Sequence, residues 1–418
     1  MTRTPRRRAT AVAGLAAVLM LSTACGGGGF EDEADSGGTP SAEEGPVALT
    51  MLIASSGDAE TKAVQAAADA WAEESGNTVE VSVAQDLPQQ LGQAFAGGTP
   101  PDVFYTDAAR FPDYAEAGSL YSYGDQISEP DDFYEALTRT FTFEDELVCA
   151  PKDFSTLGLQ INTAAWEAAG LTDADVPTTW DELKDVAGKL TTGKQTGLAL
   201  GDTRDRIGAF MVQAGGGITD PEGEEITADS EPNVEALEFV KSMLADGSAK
   251  YPKQLDAGWS GEAFGQGKAA MAMEGNWIKG AMENDYPDVD YTVAELPEGP
   301  EGKGTLLFTQ CWGIAEQSEH KAAAVSLVDA LTTVDQQLAF ADAFGVMPSR
   351  ESAKEQYEEK FPEDAAFIAG GEYGRGPVNK PGFDSVLLDF DTGLTGLANG
   401  DPKAILASLQ KNAEAAAG

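Results

Sequence analysis

Apolar positions along the first folded stretch switch between two periods. Residues 47–54 are almost continuously apolar, the pattern of a strand buried on both faces. Ser55-Ser56-Gly57 interrupts it. Val64, Ala67, Ala68 and Trp71 then recur at helical spacing, predicting an amphipathic helix over 58–75 that Gly76-Asn77 closes. Val79, Val81 and Val83 alternate with polar residues, predicting a second strand over 78–84. A short helix over 87–96, a Gly-Gly-Thr-Pro-Pro turn and a third strand over 102–105 follow. Strand–helix–strand–helix–strand predicts a parallel α/β sheet, and ligands sit beyond the carboxyl ends of such strands. That places Ser55, Ser56, Gln85, Thr106 and Asp107 at a candidate site.

Further along, helices are predicted over 164–169, 179–190, 206–213, 233–245 and 258–267, with strands over 157–161, 271–274, 291–295 and 306–314. Late helices are predicted over 319–331, 334–343, 352–360, 384–399 and 402–417. No internal repeat is visible.

The first residues follow a different pattern. Arg3, Arg6, Arg7 and Arg8 precede a largely apolar run of 13 residues over 9–21, then small residues and Cys25. That run is short for a membrane span and reads as a signal peptide over 1–24. A cysteine placed there resembles a bacterial lipoprotein signal, in which the thiol takes a diacylglyceryl group. Ser22 stands where that signal favours Leu, and a plain secretory leader with an incidental cysteine is the competing reading. Residues 25–46 are rich in Gly, Ser, Pro and acids, the composition of a flexible linker.

Charge and cysteine usage narrow the function. Of 418 residues, 27 are Lys or Arg and 70 are Asp or Glu; without the four leader arginines the balance is 23 against 70, a net of −47. Such a field repels nucleic acid and anionic headgroups and favours solubility on an exposed surface. If Cys25 carries lipid, Cys149 and Cys311 remain as an even pair in an oxidising compartment, where a disulfide is expected. Two buried free thiols are the alternative.

Enzyme signatures are missing from the sequence. The single histidine, His320, opens a polar helix start and supports neither a catalytic triad nor a metal site. Gly26–Gly29 belong to the linker rather than a phosphate loop, and the acids over 283–290 lack calcium-loop spacing. No cofactor is expected. With 70 acids present, a carboxylate pair of glycosidase type stays open, so a glycoside-active extracellular enzyme is a competing reading, as is a binder of a non-sugar solute.

Four stretches together carry a resemblance. They are GGTPPDVFYTDAARFPDYAEAGSLYSYGD at 97–125, PKDFSTLGLQINTAAWEAAGL with PTTWDELKDVAGKL inside 151–190, FGQGKAAMAMEGNW at 264–277 and GVMPSR at 345–350. In this order they resemble the extracellular solute-binding proteins of family 1, the maltose-binding type that serves ABC sugar importers. The resemblance implies a periplasmic-binding-protein type II fold, with two α/β lobes joined by crossing hinge strands around a ligand cleft. It implies lobes of 47–153 plus 310–346 and of 154–309 plus 347–418, with crossings near 153–156, 307–310 and 346–349. Cys149 and Cys311 would then lie beside the hinge. It also implies a monomeric, lipid-anchored protein outside the cell that captures a carbohydrate, closes on it and delivers it to a membrane permease.

A sugar cleft needs aromatic platforms and planar polar groups. Trp277 matches the Trp of the family's Gly-x-Trp motif and is expected to stack on a sugar face, with core packing as the alternative. Glu274 and Asn276 flank the same turn as hydroxyl partners. Trp259 and Trp312 are further aromatic candidates, with core packing equally open for both. Asp107 is expected to accept from a hydroxyl, or else to cap the next helix, and Arg110 follows it. Asp153 and Phe154 stand at the first crossing and Gln310 at the second. Arg350 follows the third crossing, Arg375 lies in a Gly-rich stretch, and Phe383 is the candidate aromatic of the second lobe. Ser55, Ser56 and Gln85 complete the set. The absence of a basic cluster favours a neutral sugar.

Overall fold

The computed structural model describes residues 45–55, 57–221 and 223–417; the leader, Cys25, nearly all of the linker and Ser56 lie outside the described residues. The strands in chain order are β1 (Ala48–Ile53), β2 (Thr78–Val83), β3 (Val103–Asp107), β4 (Thr142–Phe143), β5 (Glu146–Leu147), β6 (Ala150–Asn162), β7 (Thr196–Ala199), β8 (Ala249–Lys250), β9 (Ala269–Gly275), β10 (Tyr291–Ala294), β11 (Thr305–Ile314) and β12 (Gly374–Arg375). The βαβαβ start is present: β1 lies between β2 and β3, parallel to both, with Ala48 opposite Thr78 and Met51 opposite Val103.

Two long strands carry the chain between two half-sheets, in the order β2-β1-β3-β11-β6-β9-β7-β8. β11 runs antiparallel to β3, with Gln310 opposite Asp107, and antiparallel to the first half of β6, with Leu307 opposite Thr156. The second half of β6 leaves β11 and pairs with β9, Leu157 facing Gly275, and with β10, Tyr291 facing Asn162. The β11–β6 ladder shifts register between Gln310 and Cys311, a bulge-type irregularity within one sheet. Residue 347 joins the crossing, where the Phe154 amide donates to the Met347 carbonyl at 3.1 Å.

Each half-sheet has its own core. Leu49, Met51, Phe104, Tyr105, Phe111 and Trp312 belong to the first; Leu157, Trp180, Leu198, Met271, Phe383 and Phe390 belong to the second. A small third cluster, including Phe154, Leu307, Met347 and Phe367, sits at the crossing. Cys149 and Cys311, both fully buried, form the expected disulfide with Cα atoms 5.8 Å apart, between the chain entering β6 and β11. Among the described residues no helix is long and apolar enough to cross a membrane.

Some elements differ from the expected pattern. β6 begins at Ala150, seven residues before the expected 157, because pairing to β11 extends a stretch whose polar residues hide any alternation. β7 reads as a loop in sequence, yet Gly197 lets it lie against the helix Trp180–Leu190: a Cβ there would stand 2.0 Å from the Ala187 carbonyl oxygen. The helix Ala365–Tyr373 was masked by Gly370-Gly371. Those glycines let it pack on the crossing, since a Cβ at Gly370 would lie 2.6 Å from Thr156 Oγ1 and 2.8 Å from its Cβ.

Gly370→Ala sets two effects against each other. Alanine gains about 1 kcal/mol in helix propensity. Thr156 is fully buried on β6 and β-branched, so it has little freedom to withdraw. Overpacking of about 1–3 kcal/mol should therefore win. The expected result is a lower denaturant midpoint at unchanged slope.

Candidate functional site

A cleft of about 1960 Å³ opens between the two half-sheets. Ordinary small-molecule pockets hold roughly 300–1,000 Å³, so it has room for more than one sugar ring. The crossing strands supply its floor, through Asp153, Phe154, Thr309 and Gln310. Asp107 projects from the end of β3, and Asn276 and Trp277 come from the turn after β9. The side with the second core adds the glycine-rich loop 215–217, whose turn is held by Arg375: its guanidinium donates to the carbonyls of Gly216 at 2.9 Å and of Thr219 and Asp220.

Trp277 is 38% exposed, although large aromatic side chains are usually covered. It meets Phe308 edge to face at 5.0 Å and donates from Nε1 to Glu274 Oε2 at 3.0 Å. Asp107 caps no helix through its side chain; it accepts from the Gln310 amide. The Asn276 amide donates to the Gly345 carbonyl at 2.8 Å, tying the Trp277 turn to the third crossing segment.

Asp153 lies in a buried ionic cluster. Lys152 pairs with Asp153 and, at 3.3 Å, with Glu60, which also accepts from the Tyr105 hydroxyl at 2.9 Å. Burial pushes the Asp153 carboxyl above its ordinary value of 3.8 despite the lysine beside it. Burial alone would lower Lys152, but Asp153 and Glu60 hold it above its ordinary value. Acid therefore reaches Asp153 earlier than it reaches a surface carboxylate. Ligand affinity is expected to fall as pH drops towards the raised value, from above 3.8, and Asp153→Asn should flatten that limb of a calorimetric pH series.

The cleft cations are already engaged. Among the described residues, Arg139, Lys152, Arg204, Lys279 and Arg375 line it. Arg139 pairs with Glu135, Arg204 with Asp391, and Lys279 with Asp364 at 2.8 Å, while Arg375 is held by the three carbonyls above. Acids outnumber these cations along the lining, which disfavours an anionic ligand.

Several sequence candidates are placed elsewhere. Trp312 is fully buried with Tyr105 packed on it at 5.0 Å, and Phe383 is 2% exposed in the second core, so neither offers a face to the cleft. Arg350 is also buried, where it donates to the carbonyls of Thr332, Glu129 and Ser128 and stacks over Phe133 at 4.4 Å. Gln85 is exposed after β2, which is one strand further out than β1. Trp259 is half-buried over Gly261, packed near Phe264, and Glu274 is buried beneath Trp277. Ser55 closes its own turn, donating to the Gly57 carbonyl at 2.6 Å, and Arg110 pairs with Asp384. Ser56 is outside the described residues.

Other cleft residues escaped the sequence reading. Lys152 beside Asp153, two opposite charges within a buried strand, was a usable signal. Phe308 lay inside the expected crossing 307–310, whereas Arg206 and the glycine loop carried no signal, because only the fold brings them to Trp277 or to the cleft.

Comparisons with known proteins agree with this architecture. The chain is 23% identical over 378 residues to the diacetylchitobiose-binding protein of Streptomyces coelicolor, covering 88% of this chain and 87% of that one. It is 26% identical over 356 residues to a binding protein of Brucella abortus, covering 79% and 82%. The crystal structure of the cyclic α-maltosyl-1,6-maltose binding protein of Arthrobacter globiformis superposes with a TM-score of 0.80 at 23% identity, covering 89% of this chain and 99% of that one. The fold is thus the two-lobed periplasmic-binding-protein type. Residues 54–338 match the model of the bacterial extracellular solute-binding proteins, and the chain belongs to that family.

Proposed function

We propose that the protein captures a neutral mono- or oligosaccharide in the cleft and delivers it to the membrane permease of an ABC importer, without turning it over. Trp277 carries this reading: a large indole left open in the cleft, beside carboxylate and amide groups, suits the apolar face and hydroxyl rim of a sugar. The engaged cations and acid-rich lining support a neutral ligand, and the solved relatives include proteins bound with maltotriose and maltotetraose. In this reading Asp107, Asp153, Asn276 and Gln310 exchange hydroxyl hydrogen bonds with the ligand. Residues 47–153 with 310–346 move as one lobe and 154–309 with 347–418 as the other, closing by a hinge.

The same reading has residues 1–24 removed as a signal peptide. Cys25 is then lipidated on the outer face of the membrane, with the acidic linker 25–46 as tether and a monomeric body beyond it. Native mass spectrometry of the purified protein tests the ligand. A single adduct of neutral saccharide mass is expected, intact after prolonged incubation. An amine, peptide or phosphorylated adduct would contradict the sugar reading, and a shortened glycan would establish the glycoside-active enzyme instead.

A further inference from the structure

Trp277 is fixed by partners from distant parts of the chain. The Arg206 guanidinium carbon lies 5.0 Å over the Trp277 ring and 5.8 Å over the Phe308 ring. Those two rings meet at an interplanar angle of 88°. Arg206 Nη2 and Trp277 Nε1 converge on one oxygen, Glu274 Oε2, at 2.5 and 3.0 Å. Glu274 is 1% exposed, so this acceptor is held rigidly. Arg206 Nη1 donates to the Asp205 carbonyl at 2.9 Å, while its Nε is buried without a hydrogen-bond partner.

Two glycines make room for the assembly. A Cβ at Gly275 would stand 2.3 Å from the Trp277 ring, so the indole folds back over a bare backbone. A Cβ at Gly201 would stand 2.8 Å from Arg206 Cγ, so the arginine stem crosses another. Two distant segments, around Arg206 and around Phe308, thus meet on the Trp277 side chain, alongside Glu274 and Gly275 of its own turn. A half-exposed indole without them would sample several rotamers, and ordering it on binding would reduce affinity.

We propose that Arg206 is a positioning residue for saccharide recognition: it covers one face of Trp277, sets the tilt of the ring through Glu274 and Phe308, and leaves a single face for the sugar. The guanidinium suits this role because its plane stacks on the ring while its fork reaches the carboxylate, and lysine has no such plane. This inference rests on Trp277 being the saccharide platform.

The test is a mutant cycle on the full chain, with maltotriose, maltotetraose and diacetylchitobiose as probes. Arg206→Met is combined with Glu274→Gln, so that no buried charge is left unpaired. With Trp277 present, the pair is expected to weaken binding about tenfold; in a Trp277→Ala background the further loss should be under about twofold. Equal losses in both backgrounds, or none with Trp277 present, would overturn the proposal. Arg206→Lys keeps the charge without the plane and should fall between. A readout without sugar accompanies these: acrylamide quenching of the Trp277 emission, isolated by difference from Trp277→Phe, should rise in the pair variant. Unchanged quenching would also overturn the proposal. If no saccharide binds the unaltered protein, the proposed function fails, and the quenching result alone decides the role of Arg206.

Discussion

Trp277→Ala is expected to weaken saccharide binding by about 1–3 kcal/mol, a loss of roughly 5- to 150-fold, with little change in stability. The asymmetry follows from where the ring lies. Trp277 is 38% exposed, so truncation removes only part of a buried contact set. Arg206 continues to satisfy Glu274 when the indole donor is lost, so no buried carboxylate is stranded. Trp312 provides the contrast, being fully buried beside Cys311 on β11 with Tyr105 packed on its ring. Trp312→Ala should lower stability by about 3–5 kcal/mol. Calorimetric titration paired with thermal unfolding separates the two cases. A Trp277 variant that lost stability but kept affinity would assign the ring to packing rather than to the ligand.

Removing the disulfide should give the largest stability loss. Cys149 and Cys311 are 162 residues apart, and in the chain-entropy model closing so long a loop contributes up to about 5 kcal/mol. At roughly 2–4 °C per kcal/mol for a domain of this order, Cys149→Ala with Cys311→Ala should lower the unfolding midpoint by up to about 10–20 °C. The bond joins the entry to β6 with β11 inside the first core, so that half of the molecule should unfold first. Neither cysteine lines the cleft, so sugar affinity well below the midpoint should be preserved. Scanning calorimetry of the double variant checks this, and thiol alkylation under denaturing, non-reducing conditions should leave both residues unmodified in the unaltered protein.

The parts of the molecule legible in sequence are those where local pattern and final environment agree. The first βαβαβ unit was readable because its apolar period changes at each glycine or serine break. Asp153, Asn276 and Trp277, which line the cleft, lay in stretches that resemble the family, and Gln310 was placed there by the expected second crossing. Trp312, Phe383 and Arg350 sat in equally suggestive positions, yet tertiary partners cover them: Tyr105, the second core, and the carbonyls of 128, 129 and 332. Gly370 and Gly371 read as a loop because propensity counts glycine as a helix breaker, whereas close approach to Thr156 and Phe154 is what requires them. The roles of Arg206 and Phe308 around Trp277 were invisible for a related reason, although Phe308 lies in the expected crossing 307–310. Their part in the site depends on contacts with residues 31 to 102 positions away, which no local pattern encodes.

In the proposed function the interlobe cleft takes a neutral saccharide. Isothermal titration of the purified protein with a panel of neutral, acidic and aminated oligosaccharides decides it. One neutral saccharide should bind at one site per chain near micromolar affinity, about −8 kcal/mol, and the signal should drop with Trp277→Ala. Binding of an acidic or aminated saccharide at that affinity, with no neutral saccharide bound, would contradict it.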